Sequence, residues 1–269
     1  MRAVPDTLAP QVVAGIDAQL DEVERRDGVR ILWAIESGSR AWGFPSPDSD
    51  YDCRFVYAHP AERYLSPWLP RDVIELPPDP VFDVNGWDLV KAVRLLVKGN
   101  ATVGEWLRSP IVYRGDAAFR DAFLALAEEV FDLDRVRAHH LHVGRLQWPG
   151  DVDGGRLKPR MYALRAAASL RWLRVHSADG VPPMDLPSLI EQSDVGASLR
   201  ARVAELIERK ARTREAGAGS VPAEVSAFVL HEFAAAEEHL SRVGARPSPD
   251  AARRAATAFF RTWVRGPAE

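Results

Sequence analysis

Cysteine is nearly absent: Cys53 is the single one in 269 residues, which excludes an intrachain disulfide framework and a thiolate zinc site. Long apolar runs are missing too. No stretch approaches the roughly 20 residues that cross a bilayer, and the first ten residues lack the basic-then-apolar pattern of a secretory signal, so a cytoplasmic protein without a membrane partner is expected. There is little net charge. With 35 Lys and Arg against 38 Asp and Glu the balance is −3, so no global field draws the chain to nucleic acid or to an anionic membrane. Internal repeats and low-complexity tracts are also lacking. What is present, 46% hydrophobic and 27% charged residues, is the composition of a packed globular protein.

Charge is placed unevenly along the chain. Between Arg135 and Arg174 nine Lys or Arg face only two acids, Asp151 and Asp153, and something anionic is expected there. Periodicity predicts a helix from about Leu8 to Arg26, ended by Gly28, and then a buried strand over Arg30 to Glu36. That strand runs into Ser37-Gly38-Ser39, where small residues permit a tight strand-to-helix turn. A Pro- and Ser-rich loop precedes a strand over Tyr51 to Tyr57. Further strands are expected at Asp72 to Leu76 and Val81 to Val84, divided by Pro77-Pro78-Asp79-Pro80. Helical spacing follows over Trp87 to Val97 and Thr102 to Leu107. From about Ala117 onward every element reads as helix: 117–130, 136–146, 159–175, 199–212, 222–243 and 249–263. The expected organisation is a mixed α/β half (1–115) followed by an all-helical half (116–269), with a connector at 216–220 and a turn at 245–250.

The segment Gly38-Ser39-Arg40-Ala41-Trp42-Gly43, followed by Asp48-Ser49-Asp50-Tyr51-Asp52, carries the chemistry. Side chains alternate along a strand, so Asp50 and Asp52 project from one face, about 7 Å apart. Two carboxylates on an otherwise apolar strand repel unless a cation joins them. Magnesium suits such a pair, since it takes oxygen ligands from one or two carboxylates and completes its shell with phosphates and water. The Gly38-Ser39 turn offers backbone amides and a hydroxyl to phosphate oxygens, and Arg40 adds charge.

Gly-Ser, a gap of ten residues and Asp-x-Asp on a strand resemble the signature of the DNA polymerase beta superfamily of nucleotidyltransferases. With Asn85-Gly86-Trp87-Asp88-Leu89 and Glu105-Trp106-Leu107-Arg108-Ser109-Pro110-Ile111-Val112-Tyr113, the stretch is similar to the RNA-ligase-associated (YcgL-like) family of predicted nucleotidyltransferases. The resemblance implies an α+β fold: a small mixed β-sheet with helices on one side, then an all-helical domain. It also implies a third carboxylate on a neighbouring strand, for which alternation favours Asp83 and keeps Asp88 in reserve. Three acids would then hold two Mg2+ ions, with Mn2+ an alternative, while Gly38, Ser39 and Arg40 meet the phosphates of an NTP, ATP foremost. Asp83 would also orient or deprotonate the acceptor. Lys158, Tyr162 and Arg165 share a helix face at spacings of four and three, and Lys158 is placed to reach a phosphate. The implied reaction moves a nucleoside monophosphate to an unidentified acceptor, an RNA or a protein among the candidates, and releases pyrophosphate.

Other readings stand beside this one. One is a catalytically silent nucleotide-binding or antitoxin-like module of the same fold, against which the intact acids argue; another is a hydrolase that passes the nucleotidyl group to water. His139-His140-x-His142 lacks the four-residue spacing of a helical metal pair and reads as helix surface. Trp42 and Trp87 flank the candidate site, where either would stack on a base. Ser39 lacks the surroundings of a serine nucleophile.

Overall fold

The computed structural model describes residues 1–148, 156–176, 180–214, 220–244 and 249–265. Helix α1 (Pro10–Asp27) begins with proline at its first position, where no amide is needed, and ends at Gly28, whose φ of 61° is the left-handed geometry open to glycine. Its buried face is Val13, Ile16, Leu20 and Val23, the expected stripe. Strand β1 (Arg30–Glu36) is buried along all but its first residue. The four-residue helix α2 (Gly38–Ala41) follows at once, then β2 (Tyr51–Ala58), a 3₁₀ turn (Ala61–Leu65), β3 (Val73–Glu75) and β4 (Phe82–Asp88). Helices α3 (Leu89–Val97) and α4 (Ala101–Leu107) lead to β5 (Val112–Gly115). The remainder is helical: α5 (Ala117–Val130), α6 (Leu133–Gln147), α7 (Leu157–Val175), α8 (Leu186–Glu191), α9 (Ala197–Arg212), α10 (Ala223–Ser241) and α11 (Asp250–Arg265).

The five strands form one sheet in the order β3-β4-β2-β1-β5. Only β2 and β4 run parallel, with Asp52 beside Asp83 and Tyr57 beside Asp88; the other pairs are antiparallel. The α+β class is therefore as the resemblance implies. Helices α3, α4 and α5 cover one face through Leu89, Trp106 and Phe119, together with Leu32, Ile35 and Val56 of the strands. Helix α1 covers the opposite face, against Ala34, Cys53, Phe55 and Tyr57. Cys53 is thus the buried strand residue that its neighbours suggest. The last helix, α11, returns to the first of these layers, where Phe259 stacks on Phe123 with ring centres 4.6 Å apart and Trp263 meets Phe119 edge-on at 5.1 Å.

A third apolar cluster joins α6 to α10, and Phe44, from the loop after α2, lies fully buried within it. The same loop is docked a second way: the Leu186 amide donates to the Trp42 carbonyl at 2.9 Å, and a side chain at Gly43 would strike Pro187 at 2.8 Å. The loop that precedes β2 is therefore seated on the helical bundle. Several expectations are revised in detail. The strand begun at Val81 to Val84 continues through Asp88, and β5 and α8 add to the expected set. The expected connector at 216–219, the turn at 245–248, and Asp151 and Asp153 lie outside the described residues.

Candidate active site

The candidate site forms where β1 ends and β2 and β4 begin. Gly38 opens α2 with a φ of 59°, and a Cβ there would come within 1.9 Å of the Asp52 Oδ2 atom. Only glycine meets both demands, a left-handed backbone and contact with the carboxylate. Ser37 supplies no side-chain cap to α2, so the leading amides of the turn are not closed off by it.

Asp52 and Asp83 face each other across the parallel ladder and share one cation. Arg54 Nη2 donates to Asp52 Oδ1 at 2.8 Å and to Asp83 Oδ2 at 2.6 Å, and its Nη1 donates to the Asp83 carbonyl at 2.6 Å. Asp52 is largely enclosed, whereas the Asp83 side chain is 53% exposed. Burial raises the Asp52 carboxyl above the ordinary aspartate range; Arg54 draws it down, Asp50 and Asp83 push it up, and Lys158 draws it down again. The positive charge of Lys158, from the first turn of α7, is thus felt at Asp52. Asp50 is exposed and precedes β2 rather than belonging to it.

Arg40 and Ser39 are turned to a different task from the expected one. Arg40 donates from Nε to the Asp50 carbonyl at 3.0 Å and from Nη2 to the Ser49 carbonyl at 2.6 Å, with its guanidinium 3.9 Å over the Tyr51 ring. It clamps the approach to β2. Ser39 is buried and donates from Oγ to Ser49 Oγ at 3.0 Å, and that same atom accepts from the Ser46 amide at 3.0 Å. Ser46 Oγ in turn accepts from the buried Lys210 of α9 at 2.8 Å. A polar chain therefore runs from the helical bundle to the Gly-Ser turn.

Arg165 corrects the expectation of a phosphate-facing arginine. It is buried, pairs with Glu105 at 2.8 Å and donates to the Met184 carbonyl at 3.1 Å. Its guanidinium also lies 4.2 Å from the Trp42 ring centre, so its donors and its face serve packing. Tyr162, one turn before it, stands edge-on to Trp42 at 4.7 Å with Lys158 5.8 Å from its own ring centre. Trp42 thus sits at the seam between the α2 turn and α7. Trp87 does not flank the site: it packs on Trp106 at 4.1 Å, four residues along β4 from Asp83.

Asp88, held in reserve as the third acid, is excluded by position. It lies at the far end of β4, about 16 Å from Asp83 at strand spacing, and caps α3 by accepting from the Val90 amide at 2.7 Å. The histidine cluster is also revised, since His140 is buried rather than on a surface, and burial keeps both His139 and His140 below the ordinary imidazole range. The basic excess of 135–174 is largely neutralised in space. Arg137 meets Asp134, Arg145 meets Glu237, and Arg174 meets Glu232, the last pair at 2.6 Å.

Two contributors, Arg54 and Glu36, escape the sequence reading. Arg54 continues the alternation of Asp50 and Asp52, which was a legible signal. Glu36 closes β1, fully buried; its Oε1 accepts from the Asp52 amide at 3.0 Å and its Oε2 from the Tyr113 hydroxyl at 2.5 Å. Burial pushes its carboxyl up to about 7, against the pull of both hydrogen bonds. A lone acid ending an apolar strand, just before the Gly-Ser turn, was its signal.

The donor set fits a divalent cation. A nitrogen of Arg54 already lies between the two carboxylates, which marks a position where positive charge is held from both sides. Among the described residues no group of three or more His, Cys, Asp or Glu is placed to hold a metal ion by itself, so a cation here would rest on the open pair of Asp52 and Asp83, with phosphates and water completing its shell as is usual for magnesium.

Comparison with known proteins identifies related sequences. The sequence profile of the RNA repair pathway DNA polymerase beta family matches residues 13–261. The uncharacterized protein YcgL of Bacillus subtilis (strain 168) is 36% identical over 217 residues, which is 80% of this chain and 81% of YcgL.

Proposed function

Because the chain belongs to the RNA repair pathway DNA polymerase beta family, we propose that it transfers a nucleoside monophosphate from an NTP to a hydroxyl acceptor and releases pyrophosphate. The observation that carries this reading is the meeting of Asp52, Asp83 and Gly38 at one point, the glycine leaving space for no side chain against the carboxylate. Asp50, Asp52 and Asp83 would hold Mg2+, or Mn2+ in its place, with ATP the first nucleotide to test. When bound, such ions lower the pKa of the attacking hydroxyl and neutralise charge on the leaving pyrophosphate.

The chain's own residues then have distinct tasks. Gly38 lets a polyphosphate approach the backbone of α2, and Ser39, through Ser49 and Ser46, keeps that turn fixed to the bundle. Arg40 holds the carbonyl of Asp50, and so the start of β2, in place. Lys158 supplies positive charge from the helical half (116–269) to a site built by the catalytic half (1–115), with Tyr162 beneath it. Asp83, the more exposed acid, orients the acceptor hydroxyl and accepts its proton. The family description favours an RNA end as acceptor over a protein side chain.

One observation favours a second reading, a silent nucleotide-binding module: the Arg54 guanidinium fills the space between the two acids. The experiment that decides incubates the protein with each α-labelled NTP, Mg2+ or Mn2+, and total RNA or lysate protein. Label entering an acceptor with matched pyrophosphate release, lost in the Asp50→Ala, Asp52→Ala double variant, supports transfer. Labelled monophosphate without labelled acceptor marks a hydrolase, and NTP binding without any product marks the silent module.

A further inference from the structure

A second surface, far from the aspartates, carries a charge excess that is not neutralised. Helices α3 and α11 lie side by side and enclose a cavity of about 690 Å³ with an aliphatic floor that includes Val93, Val97 and Ala256. Its rim carries Arg94, Lys98, Arg135 and Arg253, and no acid lines it. Immediately along α11 a shallower recess of about 410 Å³ is lined by Arg253, Arg254 and Arg261 with one acid, Asp250. Of these six cations two have partners nearby, Arg135 with Asp132 at 3.1 Å and Arg253 with Asp250 at 3.7 Å. Arg94, Lys98, Arg254 and Arg261 are exposed and have no acidic partner among the described residues.

This differs from the basic stretch of 135–174, where Arg145, Arg165, Arg171 and Arg174 meet acids from other helices and Arg137 meets one on its own. It also stands out in a chain whose net charge is −3. Five of the six cations are arginines, the side chain whose planar fork matches phosphate; Arg253, Arg254 and Arg261 lie on α11, Arg94 and Lys98 at the end of α3 and Arg135 on α6, so together they form a track across neighbouring helices. A repeated anion fits this track better than a single one does. The groove is separate from the aspartate cluster: Arg137, two residues beyond Arg135, bonds to the Leu173 carbonyl near the end of α7, whereas Lys158 stands at its start, about 22 Å away along the helix axis.

We infer that the α3–α11 groove binds the phosphate backbone of a single-stranded RNA, with the aliphatic floor receiving a base. The choice of RNA rests on the function proposed above; the surface and its charge do not. Binding is read without turnover, by fluorescence anisotropy of a labelled 12-nucleotide single-stranded RNA in the absence of NTP and divalent metal. The groove variant is R94E/K98E/R254E/R261E, and the control R200E/R202E/R212E/R242E makes the same charge change on other exposed arginines. The groove variant should bind at least tenfold more weakly, and the control within about twofold of wild type. The salt dependence should also flatten in the groove variant, by roughly 2 to 3 in log–log slope, since each phosphate contact on a single strand contributes about 0.7. Equal affinity of the groove variant and wild type, or equal loss in both variants, would overturn the inference. So would displacement of the RNA by polyglutamate at matched charge, which would mark an acidic protein partner, or tenfold tighter binding of a single-stranded DNA of the same sequence. The D50A/D52A protein should bind this RNA normally, so failure of the transfer reaction and failure of the groove are separate results. Matching circular dichroism and melting temperature of the two charge variants exclude misfolding as the cause.

Discussion

Strand β4 carries an aspartate at each end, and the two have opposite fates. At its start Asp83 is exposed, lies beside Asp52, and shares a guanidinium with it. At its end Asp88 is buried, accepts from the Val90 amide and from the Tyr64 hydroxyl at 3.0 Å, and has the buried His59 ring 3.8 Å away. Burial raises the carboxyl of Asp88 as it raises that of Asp52, but the neighbours of Asp88 are hydrogen-bond donors within the fold. The same residue type on the same strand therefore becomes a helix cap where the next helix begins and an open, ion-paired carboxylate where the strand end stays exposed. Burial separates the two ends, and so do the partners of each carboxylate: a backbone amide and a hydroxyl of the fold at Asp88, a shared guanidinium at Asp83.

The largest test of that contrast is Asp52→Asn. Outer-shell changes alone commonly cost 10–100-fold in metal affinity or activity, so loss of the proposed ligand itself should lower the proposed nucleotidyl transfer by at least about 100-fold in the labelled-NTP assay. The melting temperature should hold or rise, because a desolvated carboxylate is removed. Unchanged transfer would erase the difference between the ends of β4. Next in size is Gly38→Ala, which combines a left-handed backbone with a Cβ 1.9 Å from Asp52; about 1 to 3 kcal/mol of stability should be lost in urea titration, with weaker NTP binding. Wild-type behaviour there would mean that the turn moves freely. Asp88→Ala should cost about 1 to 2 kcal/mol by removing a cap, leave transfer within about twofold, and be largely rescued by Asn, another good cap.

The smallest effect is a pH dependence. Glu36 has its folded carboxyl raised from 4.5 to about 7, so the folded state holds its proton more tightly than the unfolded chain. Its contribution to stability is full below about 4.5 and is lost as pH climbs through about 7, with a slope of at most about 1.4 kcal/mol per pH unit. Glu36→Gln should flatten that part of the stability profile measured by urea unfolding at stepped pH. An equal slope in the variant would move the titration to another group.

Much of this arrangement is readable from local pattern. The Asp50-x-Asp52 alternation, the Gly38-Ser39 turn and the stripe of α1 each depend on residues close in sequence. Asp83 was reachable by alternation on one short strand, and it lies in register with Asp52. Strand β5 was not legible, because four residues ending in glycine have no period of their own and are defined by pairing with β1. Arg165 and the basic stretch around it misled for a similar reason: their acids, Glu105 and Glu232 among them, come from distant parts of the chain. Glu36 and Arg54 gave signals as single polar residues in apolar strands, but only the fold shows that both touch Asp52.

The return of α11 to the first half of the chain also orders events in time. Phe119 and Phe123 are completed by Phe259 and Trp263, which leave the ribosome some 140 residues later, many seconds after them at about 5 to 20 residues per second. Until then the faces of Phe119 and Phe123 on α5 that α11 covers have no partner there. The final helix acts as a latch that closes over them.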